Sequence, residues 1–224
     1  MRSRSVGDVV LSGTIDVPAP PVRLLAEWQR ESRLHLGLAP GEVEELPLVR
    51  ARARWPDYRH CMQAMADWMR PHGLQAVLSQ SDVALMVRRG ARYHHDSTQY
   101  GGAAFCNVFL SEDKGLDVHF PATGHRIPLR RGTVVVFDTG QPHAVIRRGN
   151  SGFLAADFPD SQDDIEVFLT WELSIEDSAV GRALQVHFDT DPSTAALLKE
   201  PQLWRNGAQA DVCPESGQWR HQPL

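Results

Sequence analysis

The chain has 224 residues and a mass of 25.0 kDa, room for one large domain or two small ones with a proper buried core. Hydrophobic residues make up 42% and charged residues 23%, with 17 Gly and 15 Pro spread along the chain, which excludes a disordered, collagen-like or low-complexity protein. The 23 basic and 28 acidic residues leave a net charge of -5, so no general attraction to nucleic acid or anionic lipid is expected.

The residues from Met1 to Asp8 lead into no apolar run of signal-peptide length, and no segment approaches the length of a bilayer span. Cys61, Cys106 and Cys213 are odd in number and far apart, with no CxxC pair. Both observations predict a cytoplasmic protein in a reducing compartment. Only Lys114 and Lys199 are lysines, so nearly every cation is a guanidinium suited to gripping carboxylates and phosphates, a bias that genome composition also produces.

After the breaker at 18–21, Leu24, Leu25, Trp28 and Leu36 recur at near-helical spacing and predict a helix over 22–36. Residues 49–55 alternate with period two, which predicts an extended segment with Arg50, Arg52 and Arg54 on one side, as a solvated face or a site for an acidic ligand. Beyond Pro56, the run 58–69 predicts a second helix with Cys61, Met65, Trp68 and Met69 on one face, read as core, and Pro71 and Gly73 stop it.

From Leu74 onward the pattern changes to short apolar runs separated by turn residues. Strands are predicted over 75–78, 83–88, 91–95, 103–110, 116–120, 126–129, 133–137, 144–147, 153–158 and 166–173. Glycines punctuate this region, so the fold class expected is mainly β with α: a barrel or double-sheet jelly roll braced by amino-terminal helices. The eight carboxylates between 157 and 177 are expected on a surface loop and strand rim. The last fifty residues read as irregular, with a short helix over 193–199 and with Trp204 and Trp219 packing back as anchors. No repeat or linker divides the chain, so one domain is expected over 1–224. It comprises a helical buttress with the first strands (1–73), a β core (74–175) and a carboxy-terminal extension packed on the core (176–224).

The segment Gly90-Ala-Arg-Tyr-His-His-Asp-Ser carries the chemistry. In a strand, His94 and Asp96 point to one face and His95 to the other, so one imidazole and one carboxylate can share a metal. His143 follows a buried strand and a turn, in Gly132-Thr-Val-Val-Val-Phe-Asp-Thr-Gly-Gln-Pro-His. Two histidines and one carboxylate form the facial triad that leaves adjacent metal positions open. A lone strand histidine is ordinarily a hydrogen-bonded core group, and His119 and His125 read that way. His95 reads as solvent-facing or as a neighbour supporting the site.

On these residues the sequence resembles the 2-oxoglutarate and iron(II) dependent dioxygenases, over roughly 83–158. Their double-stranded β-helix carries an HxD pair near its start and a distal His near its end. Residues 114–121 and 131–138 resemble the family strands between them. The resemblance implies Fe(II) held by His94, Asp96 and His143, 2-oxoglutarate and O2 as cosubstrates, and hydroxylation of an unactivated C-H. The family usually anchors the far carboxylate of 2-oxoglutarate with an arginine on the strand after the distal histidine, and neither 152–158 nor 166–173 contains one. Arg147, sharing strand parity with His143, is the first candidate anchor and Arg88 the second. Asn107, polar in an apolar run, is expected to face the cavity and touch the keto acid.

A second reading is a cupin, since Gly132, Gly140 and His143 resemble the second cupin motif, although the HxH pair of the first is missing. A third is a non-catalytic ligand-binding barrel. Arg88, Arg92, Arg126 and Arg130 point to a substrate bearing a carboxylate or phosphate, among small acids, amino acids or protein side chains.

Overall fold

The computed structural model describes residues 3–189, 204–205 and 208–221. Strands β1 (Ser3–Arg4) and β2 (Leu11–Thr14) lead to α1 (Val22–Arg30), which runs on as a wider π-type turn over Glu31–His35. Strand β3 (Val43–Leu46) and helices α2 (Leu48–Arg54), α3 (Tyr58–Met69) and α4 (Gln75–Gln80) follow. The β-rich part comprises β4 (Val83–Arg88), β5 (Ala91–His94), the single-turn α5 (Ser97–Tyr100), β6 (Ala103–Phe109), β7 (Leu116–Phe120), β8 (His125–Pro128), β9 (Thr133–Asp138), β10 (His143–Arg147) and β11 (Glu166–Ser174). Helix α6 (Ser178–Leu184), β12 (Phe188–Asp189), β13 (Trp204–Arg205), β14 (Ala208–Val212) and β15 (Trp219–His221) come last. Among the described residues no helix is long and apolar enough to cross a membrane.

Two antiparallel sheets face each other, one ordered β2-β9-β6-β11-β4-β3 and the other β5-β10-β7-β8. The chain passes back and forth between them, so sequential strands interleave, and the fold is a double-stranded β-helix. The period-two alternation of β11 shows how one strand serves both sides. Val167, Leu169, Trp171 and Leu173 pack outward against Leu24, Trp28, Met65 and Met69 of α1 and α3. Phe168 faces inward, among Phe109, Phe120, Val135 and Phe137. Removing Met65 and Met69 fully from water contributes roughly 1.5–3 kcal/mol each.

Several local expectations are corrected. Residues 48–54 form helix α2, not a strand, because Ala and Arg are strong helix formers. The buried residues Ala51 and Trp55 also recur at helical spacing. Residues 75–78 belong to helix α4 for the same reason: Leu74 and Leu78, four apart, are both buried. The expected strand at 153–158 is a loop with a short turn at Ala155–Asp157, in which Phe153 and Phe158 stack at 5.3 Å to close one end of the barrel. They lie against Gly90, whose φ of +65 and lack of a Cβ permit the approach. Within the acidic stretch, Asp164 and Glu166 are buried rather than on the surface. The helix expected at 193–199 and the side chain of Trp204 lie outside the described residues. Trp219 packs back on the core beside Tyr93, Ala144 and Ile146.

A buried ion pair ties the amino terminus to the barrel. Asp138, at the end of β9, accepts from Arg4 Nη1 at 2.6 Å and Nη2 at 2.7 Å, and from the backbone N–H groups of Gly7 and Gly140 at 2.7 and 2.8 Å. Arg4 Nε donates to Gly101 O at 2.8 Å. Both side chains are almost wholly buried, so removing one strands the other without water. Arg4→Ala is expected to lower the unfolding free energy by about 3–5 kcal/mol, read from the midpoint of a urea titration.

Candidate metal centre

The sheet register builds the centre. His143 opens β10 and is the cross-strand partner of His94, which closes β5. Their rings lie side by side, with centroids 4.4 Å apart. Asp96 sits two residues beyond His94, at the amino end of α5. It is held there by its own N–H, which donates to Thr139 O at 2.8 Å, and by its carbonyl, which accepts from Tyr100 N at 2.7 Å. Its carboxylate spans the two imidazoles, Oδ1 at 3.4 Å from His94 Nε2 and Oδ2 at 3.5 Å from His143 Nε2. One potential ligand atom from each of the three residues lies within 4.8 Å of the others.

The other ring nitrogens fix the tautomers. His94 Nδ1 donates to Arg92 O at 2.7 Å and His143 Nδ1 donates to Gln141 O at 3.0 Å, which turns both Nε2 atoms toward the shared carboxylate. Burial pushes the His143 imidazole down to about 4, with the neighbouring His94 acting in the same direction, and keeps it neutral as a ligand must be. Burial opposes charge on His94 as well, but the hydrogen bond and charge of Asp96 outweigh it and raise its pKa. For Asp96, burial is outweighed by the two imidazoles, and the carboxylate is favoured.

The triad opens on a cavity of about 300 Å³ between the sheets, walled by Phe105, Phe109, Val118, Phe137 and Phe168. Two of the sequence-predicted polar residues line it, Arg88 and Asn107. Arg88 is 6% exposed, and its guanidinium lies 4.9 Å from the ring centres of both Phe109 and Phe168. Its Nε and Nη2 are buried with no hydrogen-bond partner. The adjacent arginine gives the contrast. Arg89 is equally buried, but its guanidinium reaches Asp164, Asp160 and the carbonyls of Phe158 and Leu38. A guanidinium stripped of water and left without an acceptor is costly, and burial lowers the Arg88 pKa to about 10.

Sequence reasoning missed Glu166. It is the cross-strand partner of Arg88, is fully buried, and has neither carboxylate oxygen hydrogen-bonded. Burial raises its pKa to about 7 against the opposing pull of Arg88 and Lys114. The available signal was an acidic residue opening the strand just ahead of its apolar run Val167-Phe168-Leu169. Asn107 Oδ1 is likewise buried without a partner, on the row that pairs with Thr170 of β11.

Arg147, the first-ranked anchor, is placed elsewhere. Its guanidinium donates to Lys114 O at 2.9 Å and to Asp157 O, and it stacks over Phe158 at 5.5 Å, outside the cavity lining. Arg147 keeps the inward parity of His143 and Val145, but it stands at the far end of β10, where loop carbonyls take up its guanidinium before it can reach the cavity. Arg148 forks onto Asp113 and Asp117. His95 accepts or donates at Ser97 Oγ and stacks beside Trp219. His119 meets the Tyr93 hydroxyl at 2.6 Å and His125 meets Thr123 Oγ1 at 2.9 Å, so neither joins the centre.

No protein-family model and no curated protein matches the chain. Among solved structures, it is similar to a viral collagen prolyl hydroxylase from Paramecium Bursaria Chlorella virus-1 in its 2OG complex. The two share 10% identity with a TM-score of 0.42, over 75% of this chain and 96% of that one. A Pseudomonas putida prolyl-4-hydroxylase matches at 19% identity and a TM-score of 0.39, over 75% and 93%. EvdO2 from Micromonospora carbonacea var. aurantiaca matches at 12% identity and a TM-score of 0.41, over 84% and 90%.

The ligand set predicts metal-linked stability. Co(II) supplied at about 100 times its Kd should stabilise the fold by ~2.7 kcal/mol, seen as a rise in thermal midpoint. Asp96→Ala and His143→Ala should each lose that rise.

Proposed function

We propose that the chain is a 2-oxoglutarate-dependent iron(II) oxygenase that hydroxylates an unactivated carbon of a small molecule or amino-acid-like side chain. The observation that carries this reading is a buried guanidinium without a protein acceptor in the same cavity as His94, Asp96 and His143. A metal-ligand set alone fits many reactions. Adding a buried cation that requires an anion narrows the choice to a metal-bound acid with a second carboxylate.

His94, Asp96 and His143 fit iron(II), two neutral imidazoles and one carboxylate on one side leaving the opposite side for other ligands. Bound there, iron(II) supplies the oxidation, in which O2, 2-oxoglutarate and a C-H bond become succinate, CO2 and an alcohol. The protein binds and orients. Arg88 takes the far carboxylate of 2-oxoglutarate in place of Arg147, while Asn107 offers its amide to the same ligand or to the substrate beside it. The aromatic walls exclude water and fix the position of the guanidinium through its two ring contacts. Glu166, held partly as the neutral acid near pH 7, leaves the positive charge of Arg88 available to a ligand. The three free cysteines fit a reducing, cytoplasmic setting.

Anaerobic addition of iron(II) and 2-oxoglutarate should produce the visible charge-transfer band of a chelated keto acid. Arg88→Ala should weaken 2-oxoglutarate by at least about thirtyfold, equivalent to ~2 kcal/mol or more. Arg147→Ala should leave the affinity nearly unchanged. Iron binding with no band would sink the 2-oxoglutarate assignment and favour the cupin reading, and a band without substrate turnover would favour the non-catalytic barrel.

The affinity should also depend on pH. Glu166 is pushed up to about 7, its ordinary value being 4.5, by burial and by Asp113 and Asp163, against Arg88 and Lys114. Below that value it is neutral, and as pH rises through it a negative charge forms beside Arg88 and competes with the ligand. The Kd of 2-oxoglutarate should therefore rise between pH 6 and 8 and flatten in Glu166→Gln.

A further inference from the structure

The central cavity opens beside a second groove of about 570 Å³. The two share Glu45, Ala84, Thr170 and Glu172 along their border, and the groove continues past Asp82 and Asp177. Four carboxylates therefore line it, and no lysine, arginine or histidine does. Elsewhere acidic side chains are met by guanidinium or ammonium groups: Asp113 and Asp117 by Arg148, Asp164 by Arg89, Asp163 by Lys114, and Glu112 by Arg131. Among the described residues, the side chains of Glu45, Glu172 and Asp82 make no hydrogen bond or ion pair. Two of them act on Tyr100, which lines the cavity and whose hydroxyl pKa is raised by burial and then by Glu172, Asp96 and Glu45.

The arginines that the sequence offered for an acidic substrate are not at this mouth. Arg126 is bound to Asp117 and Asn150 O, Arg92 lies over Phe153, and Arg130 is exposed away from the cavity. A second, independent feature points the same way. Asn107 Oδ1 is an acceptor, more than nine-tenths buried and unpartnered, facing into the cavity from the row that Thr170 shares with the groove. It calls for a donor. The cavity is thus polarised, with Arg88 at its deep end for an anion and bare carboxylates at its mouth.

We propose that the substrate carries an ammonium or guanidinium group, held by Glu45 and Glu172 at the mouth, with the rest of its chain running past Asp82 and Asp177. This rests on the oxygenase reading, since it places a carbon of that substrate at the His94, Asp96 and His143 centre. The same cation could belong to a free amine or to a lysine or arginine side chain of a peptide.

The test is equilibrium binding by calorimetry to the protein loaded anaerobically with iron(II) and 2-oxoglutarate. The probes are Nα-acetyl-lysinamide, its Nε-acetylated form, Nα-acetyl-argininamide and Nα-acetyl-norleucinamide, each also placed within a hexapeptide. The cationic probes should bind at least about tenfold more tightly than the neutral ones, the scale of one charged hydrogen bond. Tighter binding of the hexapeptides identifies a peptide source, and equal binding a free amine. Glu45→Gln combined with Glu172→Gln should remove the preference, and Glu172→Lys should reverse it toward Nα-acetyl-glutamate amide, with thermal unfolding showing that both variants fold. Equal affinity for charged and neutral probes, or no binding of the cationic ones, overturns the proposal. The charge-transfer band of the same sample reports separately on the oxygenase reading.

Discussion

The carboxylate of Asp138 governs the position of almost everything else in the centre. Four donors converge on it, two from Arg4 and two from backbone N–H groups, in a region with essentially no exposure. Taking two ions out of water is expensive, and this geometry returns the cost because every oxygen is met by charged or backbone donors. The turn that it locks then does two things. It delivers His143 to the head of β10, and through Thr139 O it holds the backbone N–H of Asp96. One buried pair therefore sets two of the three ligands, and Thr139 Oγ1, its one hydrogen shared between the carbonyls of Tyr100 and Ala103, joins the turn to the segment after Asp96.

The cavity owes its polarity to cross-strand pairing. Arg88 and Glu166 stand opposite each other on β4 and β11, both buried and both lacking hydrogen-bond partners. A direct ion pair would neutralise the arginine and leave nothing for a ligand. Burial instead favours the neutral acid on Glu166, while the two phenylalanine rings steady the guanidinium without consuming its N–H donors. The arrangement reserves those donors, which separates Arg88 from the fully satisfied Arg89 beside it.

The β core was legible because its strands are short, apolar and punctuated by glycine, and period two survives even where both faces are buried. The triad was legible from the His-x-Asp spacing of His94 and Asp96 and the order in which His143 follows, although Asp96 lies beyond the end of β5, at the amino end of α5. What sequence could not show was position along the strand. Parity along β10 holds, with Val145 in the inner cluster and Ala144 and Ile146 outside it, but Arg147 stands at the far end and meets the carbonyls of Lys114 and Asp157 instead of the cavity. Period failed where side-chain chemistry competed: the Arg and Ala alternation of 49–54 looks extended, yet both residues favour helix and the apolar positions fit one. Glu166 and the acidic groove depend on contacts between segments far apart in the chain, so no local pattern announces them.

The proposed placing of the anchor at Arg88 follows from the same pairing. The family pattern puts an arginine on the strand after the distal histidine, and here that strand, β11, opens with Glu166. Its antiparallel neighbour β4 supplies Arg88 directly across from it, on the same face and at the same depth. Cross-strand partners have Cβ atoms roughly 5 Å apart, less than the length of an arginine side chain, so either strand can deliver a guanidinium to the same volume. The residue facing Arg88 is then best left uncharged, since a second cation would repel the guanidinium and an ionised carboxylate would claim it, and burial raises the pKa of Glu166 toward its neutral form.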